Sequence, residues 1–173
     1  MPFLIRYPGK IEPGTTSDKL VQLNDITATL LTQANYSEDQ IQEWMPETMD
    51  LLKLIEQGVE YDHYRDYAIC AFRNTGYGPG GTYFDPPLHG TMFLSGNYKL
   101  NVFHNFADPD KLEGQLFDME NDPLEENDLW NDPGYQELRF EMTHRLTNWM
   151  VRNSDRYSGG RGGEKFRQQV TME

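Results

Sequence analysis

The apolar positions of this chain fall in short runs separated by turn residues, and the spacing within each run predicts an element. Residues 3–7, Phe-Leu-Ile-Arg-Tyr, are a short apolar run closed by Pro-Gly-Lys, which predicts a buried strand followed by a turn. Asn24 stands just before Ile26, Leu30 and Leu31, so it is placed as the cap of a helix running to about Ala34, with Val21 and Leu23 on an extended piece ahead of it. A short helix over Ser-Glu-Asp-Gln-Ile-Gln-Glu-Trp, ending at Trp44, and a longer one over residues 47–57, stopped by Gly58, complete the first third.

From Tyr67 the texture changes. Tyr67–Phe72 reads as a strand, and residues 73–87 as a loop rich in glycine and proline. Residues 90–104 read as two strands joined at Ser95-Gly96-Asn97, a hairpin pattern, and Gln115–Met119 as a further strand. Leu138, Met142, Leu146, Trp149 and Met150 recur at helical spacing between Tyr135 and Val151, so one apolar stripe of that helix should lie on the hairpin sheet. The Gly-rich stretch after it, residues 153–173, is expected to be mobile.

Composition narrows the function. A chain of 173 residues can bury roughly 70% of its unfolded surface, and an aromatic fraction of 13% offsets a modest hydrophobic fraction of 37%. The formal charge of −13 is concentrated: residues 106–141 hold 12 acidic and 2 basic side chains. No basic stripe exists to release counterions from phosphates, so a nucleic-acid partner is excluded. No apolar run approaches the roughly 20 residues that span a bilayer, and Met-Pro-Phe-Leu-Ile is too short for the core of a signal peptide, so neither a membrane partner nor an export signal is expected within this chain. Its localisation stays open. Cys70 is the only cysteine, which excludes an intrachain disulfide; set in Tyr-Ala-Ile-Cys-Ala-Phe it reads as a small buried hydrophobe with a raised thiol pKa.

The candidate chemistry is sparse. Residues 114–133 carry seven acidic side chains, and Asp118, Glu120 and Asp122 fit the first three ligand positions of an EF-hand loop. Pro123 stands where that loop needs glycine, and Leu129 where it needs a bidentate glutamate, so the calcium-loop reading fails. The four histidines, His63, His89, His104 and His144, include no i, i+4 pair of a helical metal site. His89 is the most informative, because it lies where the Gly/Pro loop enters a strand, a place where side chains meet ligands on a rigid support; the competing reading is a hydrogen-bonded loop end. Gly-Tyr-Gly-Pro-Gly-Gly lacks the Gly-Lys-Ser/Thr ending of a phosphate loop, and Gly-x-Ser-x-Gly is absent.

Three stretches together resemble a known family, the formylglycine-dependent sulfatases of the arylsulfatase type, within the alkaline phosphatase superfamily. Residues 1–31 resemble the family segment V-P-F-I-I-R-x-P-G-x-I that runs on to D-x-x-P-T-L-L, with Ala28 in place of the usual proline. Residues 89–104 resemble its later strand pair R-T-x-R-Y-K-L, and residues 115–135 resemble E-L-Y-D-L-x-x-D-P-x-E-x-x-N-L. The likeness covers about residues 2–152 and matches the C-terminal third of such enzymes. It implies an α+β fold: residues 1–60 as the end of an α/β sulfatase domain, residues 61–152 as a small four-stranded antiparallel sheet with a C-terminal helix packed on it, and 153–173 as the tail. Strand 3–7 would then be an interior strand whose open edges favour homo-oligomers.

In the intact family a cysteine in C-x-P/A-x-R becomes formylglycine and calcium is held by carboxylates and amides from upstream. Cys70 is followed by Ala71, Phe72, Arg73 and Asn74, which departs from that motif. The resemblance therefore implies no catalytic residue, no metal ligand and no cofactor in this chain. It would be part of a sulfuric ester hydrolase, inactive alone, supplying pocket wall for a sulfated sugar or small molecule. His89, Lys99 and His104 are the candidate substrate-binding residues, His89 facing the pocket with the neighbouring loop Gly76–Pro87, and Lys99 of the Y-K-L motif serving the sheet with Tyr98 as the competing reading. Alternatives are a stand-alone binding module for sulfated sugars or a partner subunit, and a fragment of a related phosphoesterase. The start at Met1 suggests an internal methionine of a longer protein; in-frame DNA encoding C-x-P/A-x-R upstream would bear this out, and a nearby in-frame stop would sink it.

Overall fold

The computed structural model describes residues 3–74, 88–104, 110 and 112–158. Two compact units are present, residues 1–70 with 94–96 and residues 71–93 with 97–173.

The first unit is helical. Helix α1 (Leu23–Gln33) is capped two residues before the expected position: Gln22 is the N-cap, and Asp25 at the third helical position accepts from the Gln22 backbone N–H at 2.6 Å. The acidic side chain that closes this reciprocal cap decides the start, rather than Asn24, which is exposed. Helix α2 (Glu38–Trp44) is capped by Ser37, whose hydroxyl accepts from Gln40 N–H. Helix α3 (Leu51–Gln57) is shorter than the pattern suggests because Asp50 caps it, accepting from Leu52 N–H at 2.9 Å. Gly58, at φ 61°, ends it in a conformation that L side chains rarely adopt. Met49, Leu51, Leu54 and Tyr61 form the buried cluster between these helices, with Ile26 and Tyr64 against it. The Tyr61 hydroxyl donates to Glu38 Oε1 at 2.8 Å; burial first, then the neighbouring carboxylates, push this phenol above its ordinary range and keep it a donor.

One buried ion pair organises this unit. Arg65 and Asp25 meet side by side, Nη1 to Oδ1 at 3.1 Å and Nη2 to Oδ2 at 2.8 Å, at 4% and 0% exposure. Arg65 also donates to the carbonyls of Tyr67 (2.8 Å) and Glu47 (2.7 Å), while Asp25 Oδ1 accepts from Met49 N–H at 2.9 Å. Thr29, one turn along α1, accepts from Leu51 N–H at 2.9 Å. Asp25 and Thr29 are the D and T of the D-x-x-P-T-L-L pattern, and both are buried structural anchors.

Residues 3–7 depart from expectation. They form no strand and are exposed, Leu4 at 95%. A strand exists only by pairing, and among the described residues no neighbour supplies this segment with a ladder. Cys70 is also exposed rather than buried. It lies on β1, where Ala68 is buried and Cys70 to Phe72 face solvent among the described residues, so the apolar look of that strand reflects strand propensity more than burial.

Strands β1 (Tyr67–Asn74), β2 (Leu88–Ser95), β3 (Tyr98–His104) and β4 (Glu113–Asp118) form one antiparallel sheet in the order β1-β2-β3-β4. The β2–β3 connection is two residues, Gly96 and Asn97; Gly96 at φ 55° has the positive φ that a primed hairpin turn requires at its first central position. Register places Leu100 opposite Leu116 and Val102 opposite Gly114. Phe93, Leu100, Val102 and Leu116 are buried, each side chain worth roughly 1.5–3 kcal/mol of burial. Helix α4 (Gln136–Ser158) packs against β3, with Met142 and Leu146 buried as the stripe requires and Arg145 stacked 5.3 Å from the Phe93 ring centre. It continues through Ser158, past the end expected near Val151; residues 159–173 of the expected tail lie outside the described residues.

Candidate functional site

Side chains alternate across a strand, so His89, Thr91, Phe93 and Ser95 share one face of β2. His104 closes β3 on that same face: its Nε2 lies 2.9 Å from the Thr91 hydroxyl. The structure thus brings His104 beside Thr91, with His89 the next residue on that face of β2, at the end of the β2–β3 hairpin away from its turn. Both imidazoles are half-buried, Thr91 is buried, and His89 Nε2 is shielded from solvent. The Thr91–His104 contact was not legible in the sequence, since a lone hydroxyl in a strand carries no pattern.

Lys99 is held elsewhere. Five residues along β3, about 17 Å from His104 at strand spacing, its ammonium pairs with Glu125 Oε2 at 2.6 Å. Glu125 sits at φ 60°, an uncommon conformation for a residue with a side chain, and the ion pair helps hold that turn. Tyr98 and Lys99 lie at the hairpin-turn end of the strand.

The acidic segment is a set of backbone caps. Asp118 accepts from the N–H groups of Glu120 (3.1 Å) and Asn121 (3.2 Å) and from the Asn121 amide (2.8 Å). Asp122 accepts from Glu126 and Asn127 N–H, and Asp132 from Gly134 N–H. Asp128 Oδ1 bridges Leu116 N–H and Trp130 N–H, both at 3.0 Å, while Leu129 N–H donates to Leu116 O at 2.8 Å. Residues 128–130 therefore occupy the outer edge of β4 at Leu116, which would otherwise offer unpaired backbone groups. Trp130 is buried, stacked beneath Arg139 with 4.9 Å to its ring centre, and its ring fills the space over Gly114.

Hydrogen bonds from Asn121, side chain first and then backbone, hold the Asp118 carboxyl below its ordinary value. A lowered folded-state value means that this group's stabilising contribution is present above the unfolded value, about 3.9, and is lost as pH falls through the folded one. Asn121→Ala should move the Asp118 carboxyl titration upward toward the ordinary value; carboxyl NMR titration reads it, and an unmoved midpoint would mean the Asn121 amide is not the cause.

The described residues do not fit a calcium or formylglycine site. No cluster of three or more His, Cys, Asp or Glu side chains suited to a metal occurs among the described residues, and the acidic segment's aspartates are turned to backbone N–H groups. Cys70 lacks the C-x-P/A-x-R context.

The fold matches a protein solved with its substrate D-glucosamine-2-N,6-O-disulfate at TM-score 0.64, with 22% identity over 87% of this chain and 28% of that one. It also matches a 2-O GAG sulfatase at TM-score 0.57, 19% identity, 79% of this chain and 26% of that one. Two ulvan-active sulfatases of Formosa agariphila are 25% and 27% identical over 90% and 89% of this chain. The chain spans 34% and 29% of their lengths. The family model described as N-sulphoglucosamine sulphohydrolase, C-terminal, matches residues 1–152, and the chain belongs to that family.

Proposed function

We propose that this chain acts as the C-terminal part of a sulfuric ester hydrolase for sulfated sugars, and that it supplies pocket wall rather than bond-breaking groups. The observation that carries this reading is the family match over residues 1–152 in a chain whose only cysteine lacks the C-x-P/A-x-R setting. The naming of sulfated sugars rests on the relatives: one is solved with a glucosamine disulfate, and others are described as ulvan-active. The wall is the end of β2 and β3 that carries His89, Thr91 and His104. Sulfate esters offer only acceptor oxygens, and imidazole N–H groups are donors of the right kind to hold them. Lys99, paired with Glu125, serves the sheet and its acidic turn in this reading.

The test is turnover. With added calcium, the 173-residue chain should release no sulfate from an aryl sulfate or a sulfated glucosamine above the buffer rate; turnover that disappears in His89→Ala would overturn the assignment. We propose further that the exposed run Phe3, Leu4, Ile5 and Tyr7 pairs as a strand with other polypeptide, and that two copies of the chain associate through it. Solution mass should show concentration-dependent dimers that Leu4→Lys suppresses, and a strictly monomeric chain at high concentration would count against this pairing.

A further inference from the structure

The sheet has two outer edges, closed to different degrees. At β4, residues 128–130 stand beside Leu116, whereas on β1 the Gln22 side chain accepts from Ile69 N–H at 2.8 Å and no strand lies beyond it among the described residues. Backbone groups alternate sides along a strand, so Ala71, two residues on and exposed, turns its N–H and carbonyl the same way as Ile69. An edge of this kind is a template for another strand. The exposed run of residues 3–7 has the complementary need, strand propensity with no ladder among the described residues. Its own chain does not bring the two together. The Tyr7 hydroxyl lies 3.5 Å from Gln33 Oε1 at one end of α1, while Gln22 at the other end serves Ile69, and a helix of 11 residues separates those ends by about 16 Å.

We propose that residues 3–7 of one copy add as a strand to the outer edge of β1 at Ala71 in a second copy, and that the second copy returns the same contact, closing a twofold dimer. The proposal rests on the reading above that this run pairs copies of the chain, and it names the surface that receives the run. Charge favours this approach. Residues 1–34 hold 3 basic and 3 acidic side chains, so the whole formal charge of −13 lies in the remainder, and the run itself brings the positive Arg6 to an acidic partner. The exposed Cys70 stands beside Ala71 on the receiving strand and reports on what approaches it.

The test uses variants of the full chain. Ala71→Pro removes an N–H that faces away from β2, a change an edge strand tolerates, and it should raise the dimer dissociation constant measured by sedimentation about tenfold, or about 1.4 kcal/mol. Circular dichroism and the urea midpoint check that this variant is folded. Independently of it, Leu4→Cys and Ile5→Cys each add a thiol on opposite sides of the run. Diamide, which takes up the two electrons, should join one of these thiols to Cys70 of the second copy, because side chains on paired strands stand close enough for a disulfide. Peptide mapping of mixed 14N and 15N chains shows that the link runs between copies. Absence of any link from residue 4 or 5 to Cys70 overturns the β1 assignment, as does a folded Ala71→Pro chain that dimerises as tightly as the wild type. If Leu4→Lys still suppresses the dimer in either case, the pairing of the run stands and only its receiving surface is wrong. A chain that stays monomeric at high concentration overturns both.

Discussion

Arg65→Met should lower the unfolding free energy by about 3–5 kcal/mol, the cost of leaving one partner of a buried ion pair uncompensated. Asp25, fully buried, would keep its charge or take up a proton, and the carbonyls of Glu47 and Tyr67 would each lose a donor. Urea denaturation reads the effect as a shift in midpoint. Many buried pairs can be replaced by apolar residues at little cost, but this one should resist. Asp25 also accepts from the backbone N–H groups of Met49 and Gln22, so Asp25→Leu/Arg65→Met leaves two buried or half-buried donors unanswered. The double variant should therefore recover little of the loss. A double variant as stable as the wild type would show that the pair, not the backbone anchoring, carries the cost, and a single-variant loss under about 1 kcal/mol would dismiss the pair as an organising element.

This node was invisible in the sequence for a physical reason. Asp25 and Arg65 lie far apart in the chain, and nothing in spacing or local propensity joins them. Only the resemblance marked Asp25 and Thr29 as part of a pattern, and the structure supplies the reason in anchoring of the Met49 and Leu51 backbone. Elements that depend on their own periodicity were legible: the hairpin turn at Gly96, the Met142 and Leu146 stripe of α4, and the short helix after Ser37. Elements that depend on partners were not. Residues 3–7 carry strand propensity but no strand to pair with among the described residues, and Cys70 carries an apolar context without burial. The acidic segment shows the same division. Charge and spacing excluded an EF-hand loop, yet only the fold shows that Asp128 stands in for a strand neighbour at Leu116. Of the candidate residues, only His89 was singled out by the strand boundary where it stands, and the Thr91–His104 contact was not legible, because hydroxyl partners are set by what faces them.

Gly114→Ala is the second substitution with a large expected effect, and its cause is space rather than backbone freedom. A Cβ at Gly114 would lie 2.6 Å from Trp130 Cη2 and would also overlap Trp130 Cζ3 and the backbone oxygen of Asn101. Neither neighbour yields cheaply. Asn101 belongs to β3 and pairs with Gln115 in the ladder, so moving its carbonyl disturbs the sheet. Trp130 is held by its N–H on Asp128, by Arg139 over its ring, and by a hydrogen bond from Arg139 to its carbonyl. Overpacking of this kind costs about 1–3 kcal/mol, and a backbone oxygen among the obstacles places Gly114→Ala toward the upper end. Shortening the tryptophan should not rescue it: Trp130→Leu/Gly114→Ala should remain less stable than Trp130→Leu alone, because the clash with Asn101 persists after the ring is gone. Equal urea midpoints for those two proteins would assign the whole effect to Trp130 and leave the β3 backbone free to accommodate a methyl group.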